Sequence, residues 1–117
     1  MERPKVLLVV EDGPLRANYE WVLRFCGLEP VSMSARDAME QLPDGTLAAC
    51  VLADHRPLSE ALCSRLLAAA IPLVRIDPFI RHAREHLPFD VVLPAVSEPR
   101  QLITAIRHLV PGAAHPA

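Results

Sequence analysis

The chain has 117 residues, 51% of them hydrophobic, with 12 basic and 14 acidic residues and a net charge of −2. That size and apolar content describe one globular domain with its own core rather than a disordered segment. The balanced charge, the lack of a basic run and the 4% aromatic content argue against a nucleic-acid interface, and no apolar stretch reaches the ~20 residues of a membrane span.

Lys5 to Val10 is an unbroken apolar run that ends in Glu11-Asp12, as in a strand buried on both faces. Pro14 suits the first turn of a helix. Leu15, Tyr19, Val22, Leu23 and Cys26 then recur at helical spacing, and Gly27 is the expected stop. Trp21 falls off that stripe and is expected to be partly exposed or to belong to an interface. Residues 28 to 33 form a weaker strand. Ser34, with Asp37 three residues on, opens a second helix as a partial capping box, with Ala35, Ala38, Met39 and Leu42 facing inward.

Asp44-Gly45 signals a turn. Leu47 to Ala53 is again apolar and ends at Asp54. Leu58, Ala61, Leu62, Leu66 and Ala69 supply the face of a third helix. Leu73 to Ile76 is a short strand interrupted by Arg75, and Asp77-Pro78 is expected to start a fourth helix through about His86. Phe89 to Leu93 is the fifth strand. Ser97 opens a last helix with Leu102, Ala105, Ile106 and Leu109 on one stripe. Residues 1 to 110 therefore form the domain, and residues 111 to 117, rich in Pro, Gly and Ala, read as a flexible tail.

Strands alternating with amphipathic helices imply a parallel sheet covered on both faces. The expected fold is α/β and doubly wound, five parallel strands in the order 2-1-3-4-5 with five helices. Cys26, Cys50 and Cys63 lie in apolar-periodic segments without pair spacing and are expected as buried free thiols. The charged start lacks a signal-peptide pattern, so a reducing cytoplasm is the expected compartment.

In such sheets the ligand site lies beyond the carboxyl ends of the strands. Glu11-Asp12, Asp54 and Asp77 stand at the ends of strands one, three and four. Neighbouring carboxylates repel unless a cation compensates, and a hard divalent ion with oxygen ligands, Mg²⁺ in a cell, is the natural one. A carboxylate beside Mg²⁺ can attack a phosphoryl group.

The run Val6-Leu-Leu-Val-Val-Glu-Asp-Gly-Pro-Leu-Arg16 resembles the opening of response-regulator receiver domains. Leu-Ala-Asp54 resembles their phosphoacceptor, Ile71 to Ile76 their fourth strand, and Ser97 to Leu102 the start of their last helix. The resemblance covers about residues 4 to 110. It implies a flavodoxin-like (βα)5 fold and a role in two-component phosphorelay signalling. Asp54 would take a phosphoryl group from a histidine kinase or phosphotransfer protein. Glu11, Asp12, Asp54 and the backbone carbonyl of Arg56 would bind Mg²⁺, weakly.

The pattern then fails at the switch. The family's lysine after strand five has no counterpart: Lys5 is the chain's one lysine, and Ala95 stands in that stretch. Asp77 occupies the position of the switch hydroxyl, and Val92 stands near that of the switch aromatic. Each lost charge-assisted contact is worth roughly 1.5–3 kcal/mol, which weakens the coupling of phosphorylation to shape. Arg56 and Arg75 are the candidate substitute cations. Asp12 and Asp77 each precede a proline near a helix start, so capping is an alternative role for both.

Two readings follow. One is a phosphorylatable receiver with a degenerate switch; the other is a phosphorylation-independent pseudo-receiver acting as a protein-interaction module. In the second, a partner binds the face of helix four, strand five and helix five, through Phe79, Arg81, Arg84, Arg100 and Arg107. Neither is an enzyme, since no Gly-rich phosphate loop or nucleophile–base pair is visible. His82-Ala-Arg-Glu85-His86 matches a zinc-peptidase pattern, but Pro88 follows at once and no third ligand is evident, so it reads as a solvent-facing helix face. With no effector domain in view, output is expected through a partner or a missing remainder of the protein.

Overall fold

The computed structural model describes residues 3–43, 47–53, 57–77, 84–87, 90–94 and 99–110. Their elements are β1 (Lys5–Val10), α1 (Gly13–Phe25), β2 (Glu29–Ser32), α2 (Ala35–Glu40), β3 (Leu47–Ala53), α3 (Pro57–Ala68), β4 (Leu73–Asp77), β5 (Arg84–Leu87), β6 (Asp90–Pro94) and α4 (Pro99–Leu109). The sheet order is β2-β1-β3-β4-β6-β5. Its first five members run parallel and reproduce the expected order 2-1-3-4-5, with β6 as the fifth strand of the sequence pattern.

Period-two alternation divides the strands between two cores. Val6, Leu8 and Val10 of β1 join Val74, Ile76 and Leu93 under α1 and α4, where Tyr19, Val22, Leu23, Leu102 and Ile106 meet them. Leu7 and Val9 point the other way, with Cys50, Leu52 and Leu73, and pack against Ala35, Ala38, Leu62 and Leu66 of α2 and α3. An unbroken apolar run was therefore required of β1, because neither of its faces meets water.

Local chemistry sets the helix ends. The Asp12 carboxylate accepts from the Leu15 amide at 2.8 Å, and Pro14 stands in the first turn of α1. Ser34 Oγ accepts from the Asp37 amide at 3.1 Å and starts α2. Gly27, at φ 79°, ends α1 in the left-handed region, with Leu28 N–H donating to the Leu23 carbonyl and Gly27 N–H to that of Arg24, both at 3.0 Å. This is a Schellman motif, and Gly is its usual residue. The end of α3 repeats the motif without glycine: Ala70 has φ 57°, Ile71 N–H reaches the Leu66 carbonyl at 2.9 Å and Ala70 N–H that of Leu67 at 3.0 Å.

Three expectations need correction. The fourth helix was expected through about His86, but Arg84–Leu87 is β5, an edge strand antiparallel to β6. The edge of a parallel array offers unpaired backbone groups, and a short charged segment satisfies them without making a sticky edge. The zinc-like pattern at Glu85 and His86 therefore lies on no helix, while residues 78–83 lie outside the described residues. The α3 stripe is narrower than expected: Leu62 and Leu66 are buried and Ala61 and Ala69 exposed, with Leu58 not among the described side chains. Finally, Cys26 and Cys50 are buried free thiols, but Cys63 is only half-buried. The Asp44-Gly45 turn, Ser97 and the tail from residue 111 also lie outside the described residues.

Candidate functional site

The sheet register brings the carboxyl ends of the central strands to one edge. Val10 of β1 is the register partner of Ala53 of β3. Glu11 and Asp54 are the residues that follow these two in the chain. In β3, Leu52 is paired with Arg75 of β4, and Asp77 at the end of β4 is paired with Pro94 of β6. Ala95 follows Pro94 directly. Asp77 thus ends one strand, and Glu11, Asp54 and Ala95 each directly follow a strand end in the chain, all four strand ends being at one side of the sheet.

Asp54, Arg56 and Ala95 themselves lie outside the described residues. Glu11 and Asp12 are exposed, and Asp77 is half-buried. Asp12 spends one carboxylate oxygen on the Leu15 amide, so the capping role weighed for it from sequence is present. Among the described residues no three Asp, Glu, His or Cys side chains group as a metal site, so Asp77 does not complete a ligand set with Glu11 and Asp12. The donor chemistry of that pair, carboxylate oxygen at a solvent-facing strand end, suits Mg²⁺.

Val92, expected near the position of a receiver's switch aromatic, is buried at 4% exposure. Its register partner is Arg75. Val74 and Ile76 point into the core under α1 and α4, so Arg75 projects to the opposite face, as does Asp77 two residues on. Residues two apart on one strand face are about 7 Å apart. Arg75 is half-buried and engaged in interactions. It is thus the cation near the strand ends whose direction sequence alone left open. Lys5 sits at the far end of β1, roughly 17 Å from Val10 by strand rise.

Of the expected partner face, Phe79 and Arg81 lie outside the described residues, and Arg84 belongs to β5, whose side chains are not described. Arg100 of α4 is exposed and Arg107 half-buried. Trp21 is exposed as expected, whereas its stacking partner Phe25 was not singled out from sequence. Trp21 and Phe25 of α1 are 61% and 47% exposed, with rings stacked at a centroid distance of 5.2 Å and an interplanar angle of 9°. The signal available was an aromatic pair four residues apart, off the core stripe.

No protein-family model matches the chain, and no curated protein matches it. Solved structures do. A response regulator receiver protein from Sinorhizobium medicae WSM419 superposes with a TM-score of 0.75 at 22% identity, over 95% of this chain and 97% of that one. The receiver domain of a sensor histidine kinase from Pseudomonas aeruginosa PAO1, which has magnesium coordinated in its active-site cleft, gives 0.76 at 13% identity, over 95% and 100%. A chemotaxis protein, CheY4 of Vibrio cholerae, gives 0.69 at 14%, over 92% and 99%. The chain therefore has the fold of receiver domains over nearly its whole length. No helix among the described residues is long and apolar enough to cross a membrane.

Proposed function

We propose that the chain is an atypical receiver domain of two-component signalling, which accepts a phosphoryl group at Asp54 and carries a degenerate switch. The observation that supports this is the register of the two central strands. Val10 and Ala53 are partners, and the acidic pair and Asp54 come next in the chain after them. Transfer would form a bond from an Asp54 carboxylate oxygen to phosphorus as the P–N bond of a donor phosphohistidine breaks, the imidazole leaving with the bonding pair. The donor is a histidine kinase or phosphotransfer protein, and the domain's own output is not catalytic.

Glu11, Asp12, Asp54 and the Arg56 backbone carbonyl would hold Mg²⁺, which offsets negative charge on the phosphoryl oxygens when bound. Its affinity would be low, because Asp12 already shares its carboxylate with the Leu15 amide of α1. The absence of any lysine besides Lys5 leaves the phosphoryl group without that partner. Arg56 and Arg75 are the candidate substitute cations, and Asp77 adds a charge of the same sign as the phosphoryl group. A phosphoryl group that contacts two conformations alike cannot shift their populations.

A second reading, a phosphorylation-independent pseudo-receiver, is favoured by Val92. A buried valine has no ring to exchange between inward and outward positions. In that reading a protein partner uses the side of the domain that carries β6 and the exposed Arg100 of α4.

The deciding experiment is intact-mass measurement after incubation with acetyl phosphate or phosphoramidate, with and without Mg²⁺. One phosphoryl group should be added, only with Mg²⁺, and Asp54→Asn should abolish the addition. An unmodified wild-type chain would leave the pseudo-receiver reading. Asp12→Asn keeps an N-cap acceptor and removes the charge, so it should weaken Mg²⁺ binding and raise the Mg²⁺ concentration needed for phosphorylation, without loss of stability. Asp12→Ala should lose about 1 kcal/mol as well.

A further inference from the structure

The outer face of α1 presents apolar surface that the fold does not use. Trp21 and Phe25 are the large hydrophobic side chains exposed among the described residues. Pro14, Ala17, Asn18 and Arg24 are exposed on the same side of the helix, at the three- and four-residue spacings that make one face. The charges beside this face are asymmetric. Glu20 and Arg24 pair at 3.6 Å on one flank of the aromatic stack, and Asn18 lies on the other without charge.

We propose that this face pairs two copies of the chain through antiparallel contact of α1 with α1, about a two-fold axis near Val22. The charge pattern selects the direction. In an antiparallel helix pair related by such an axis, each flank meets the same flank of the other copy. Glu20 then faces Arg24 of the second copy, and Arg24 its Glu20, two complementary contacts from one flank. A parallel pair would set the charged flank against Asn18 and give neither charge a complement across the interface.

The same axis interleaves the rings. With 1.5 Å of rise per residue, Trp21 of the two copies lie next to each other near the axis, and each Phe25 falls beyond them, toward Asn18 of the other copy. Asn18 is short and uncharged, and leaves room for it. Each copy contributes roughly 200 Å² of exposed aromatic surface. That is well short of the ~800 Å² per partner of a standard stable interface, so the dimer is weak and concentration-dependent. The net charge of −2 gives little repulsion between copies.

The test is a concentration series of the full chain by sedimentation velocity, with Trp21 emission followed in parallel. The wild type should shift from monomer to dimer as concentration rises, with a blue shift of Trp21 emission as its ring leaves water. Trp21→Ser should weaken the dimer at least tenfold while far-UV circular dichroism shows the fold intact. Glu20→Arg and Arg24→Glu should each weaken it alone, since each sets like charges face to face. An equimolar mixture of those two variants should dimerise again, because each mixed contact is then Arg against Glu. A chain that stays monomeric up to millimolar concentration overturns the proposal, including the case in which the face captures some other protein. A dimer indifferent to Trp21→Ser, or variants that do not recover on mixing, also overturn it.

Discussion

Helices α1 and α4 lie on the same face of the sheet and supply one core, yet they meet solvent differently. Inward, Tyr19, Val22 and Leu23 of α1 and Leu102, Ala105 and Ile106 of α4 are all buried. Outward, α4 shows Arg100, Gln101, Thr104 and His108, the polar back expected of a helix whose apolar stripe is wholly used by the core. The outer side of α1 shows a stacked Trp21 and Phe25 instead. Apolar residues are thus of two kinds in this chain. One kind is explained by the fold, and the other is left on the surface by it, where an apolar patch marks contact with something else.

Truncation at matched depth gives the largest expected effect and tests whether the two inner faces are equivalent. Leu23 and Ile106 are both fully buried in the same cluster. Leu23→Ala and Ile106→Ala should each lower unfolding free energy by about 2–5 kcal/mol, through lost transfer energy and a cavity. Denaturant melts with an unchanged slope are the measurement. A cost under 1 kcal/mol at Ile106 would mean that α4 is not an equal partner in the core and would break the comparison.

The inner faces were legible in the sequence because helical periodicity and burial are one phenomenon: every residue expected inward on α1 and α4 is buried or packed against the core. The strand order was legible too, since alternating strands and helices admit few topologies. What periodicity could not show was an extended segment that looks helical. His82 and His86 are spaced like neighbours on a helix, but Arg84–Leu87 gains its backbone partners from β6, a tertiary contact with no local signature. The site was legible to the level of strand ends. The acidic residues could be assigned to carboxyl ends from the apolar runs before them, whereas the face taken by Arg75 became clear only once Val74 and Ile76 were in the core.

The next effect contrasts α1 with α3, whose C-terminal turns share hydrogen bonds but not chemistry. Gly27 holds φ 79° and Ala70 φ 57°, and only glycine takes this region without a Cβ clash. Gly27→Ala should cost about 1 kcal/mol. Ala70→Gly should be neutral or stabilising by up to about 1 kcal/mol, the relief of strain being partly offset by a more flexible unfolded chain. Ala70 carried no mark in the sequence, because the left-handed geometry there is imposed by the motif and not by the residue. Thermal melts of the two variants should move in opposite directions, and parallel losses would show that Ala70 is unstrained.

A pH series separates the inner side of α1 from its surface. Burial raises the Tyr19 hydroxyl above its ordinary 10.0. Burial also raises the Cys26 thiol above 9.0, opposed by Arg107. Both groups stay protonated in the folded chain at pH values where they ionise in the unfolded one. Their contribution is therefore fully present below the unfolded values and is lost as pH rises through the folded ones. Stability should decline from about pH 9 upward, and Tyr19→Phe should flatten the upper part of that decline. A profile unchanged by Tyr19→Phe would place the alkaline sensitivity elsewhere.

The smallest expected effect is the most informative about the comparison. Trp21 is the largest side chain in the domain, but at 61% exposure most of its surface faces water in the single chain. Trp21→Ser removes the stack on Phe25, a contact worth about 0.5–1.5 kcal/mol when buried and less here because both rings are wet. It also relieves water of an exposed apolar surface, which costs the folded chain nothing to lose. At low concentration, where only monomer is present, unfolding free energy should therefore change by no more than about 0.5 kcal/mol, beside the several kcal/mol at Leu23 two positions away. At high concentration the wild type should gain stability from association and the variant should not, because any partner bound only by the folded state stabilises it by mass action. A difference between the two proteins that grows with concentration would assign the tryptophan to an interface. A constant difference of several kcal/mol would return it to the core and erase the distinction between the two sides of α1.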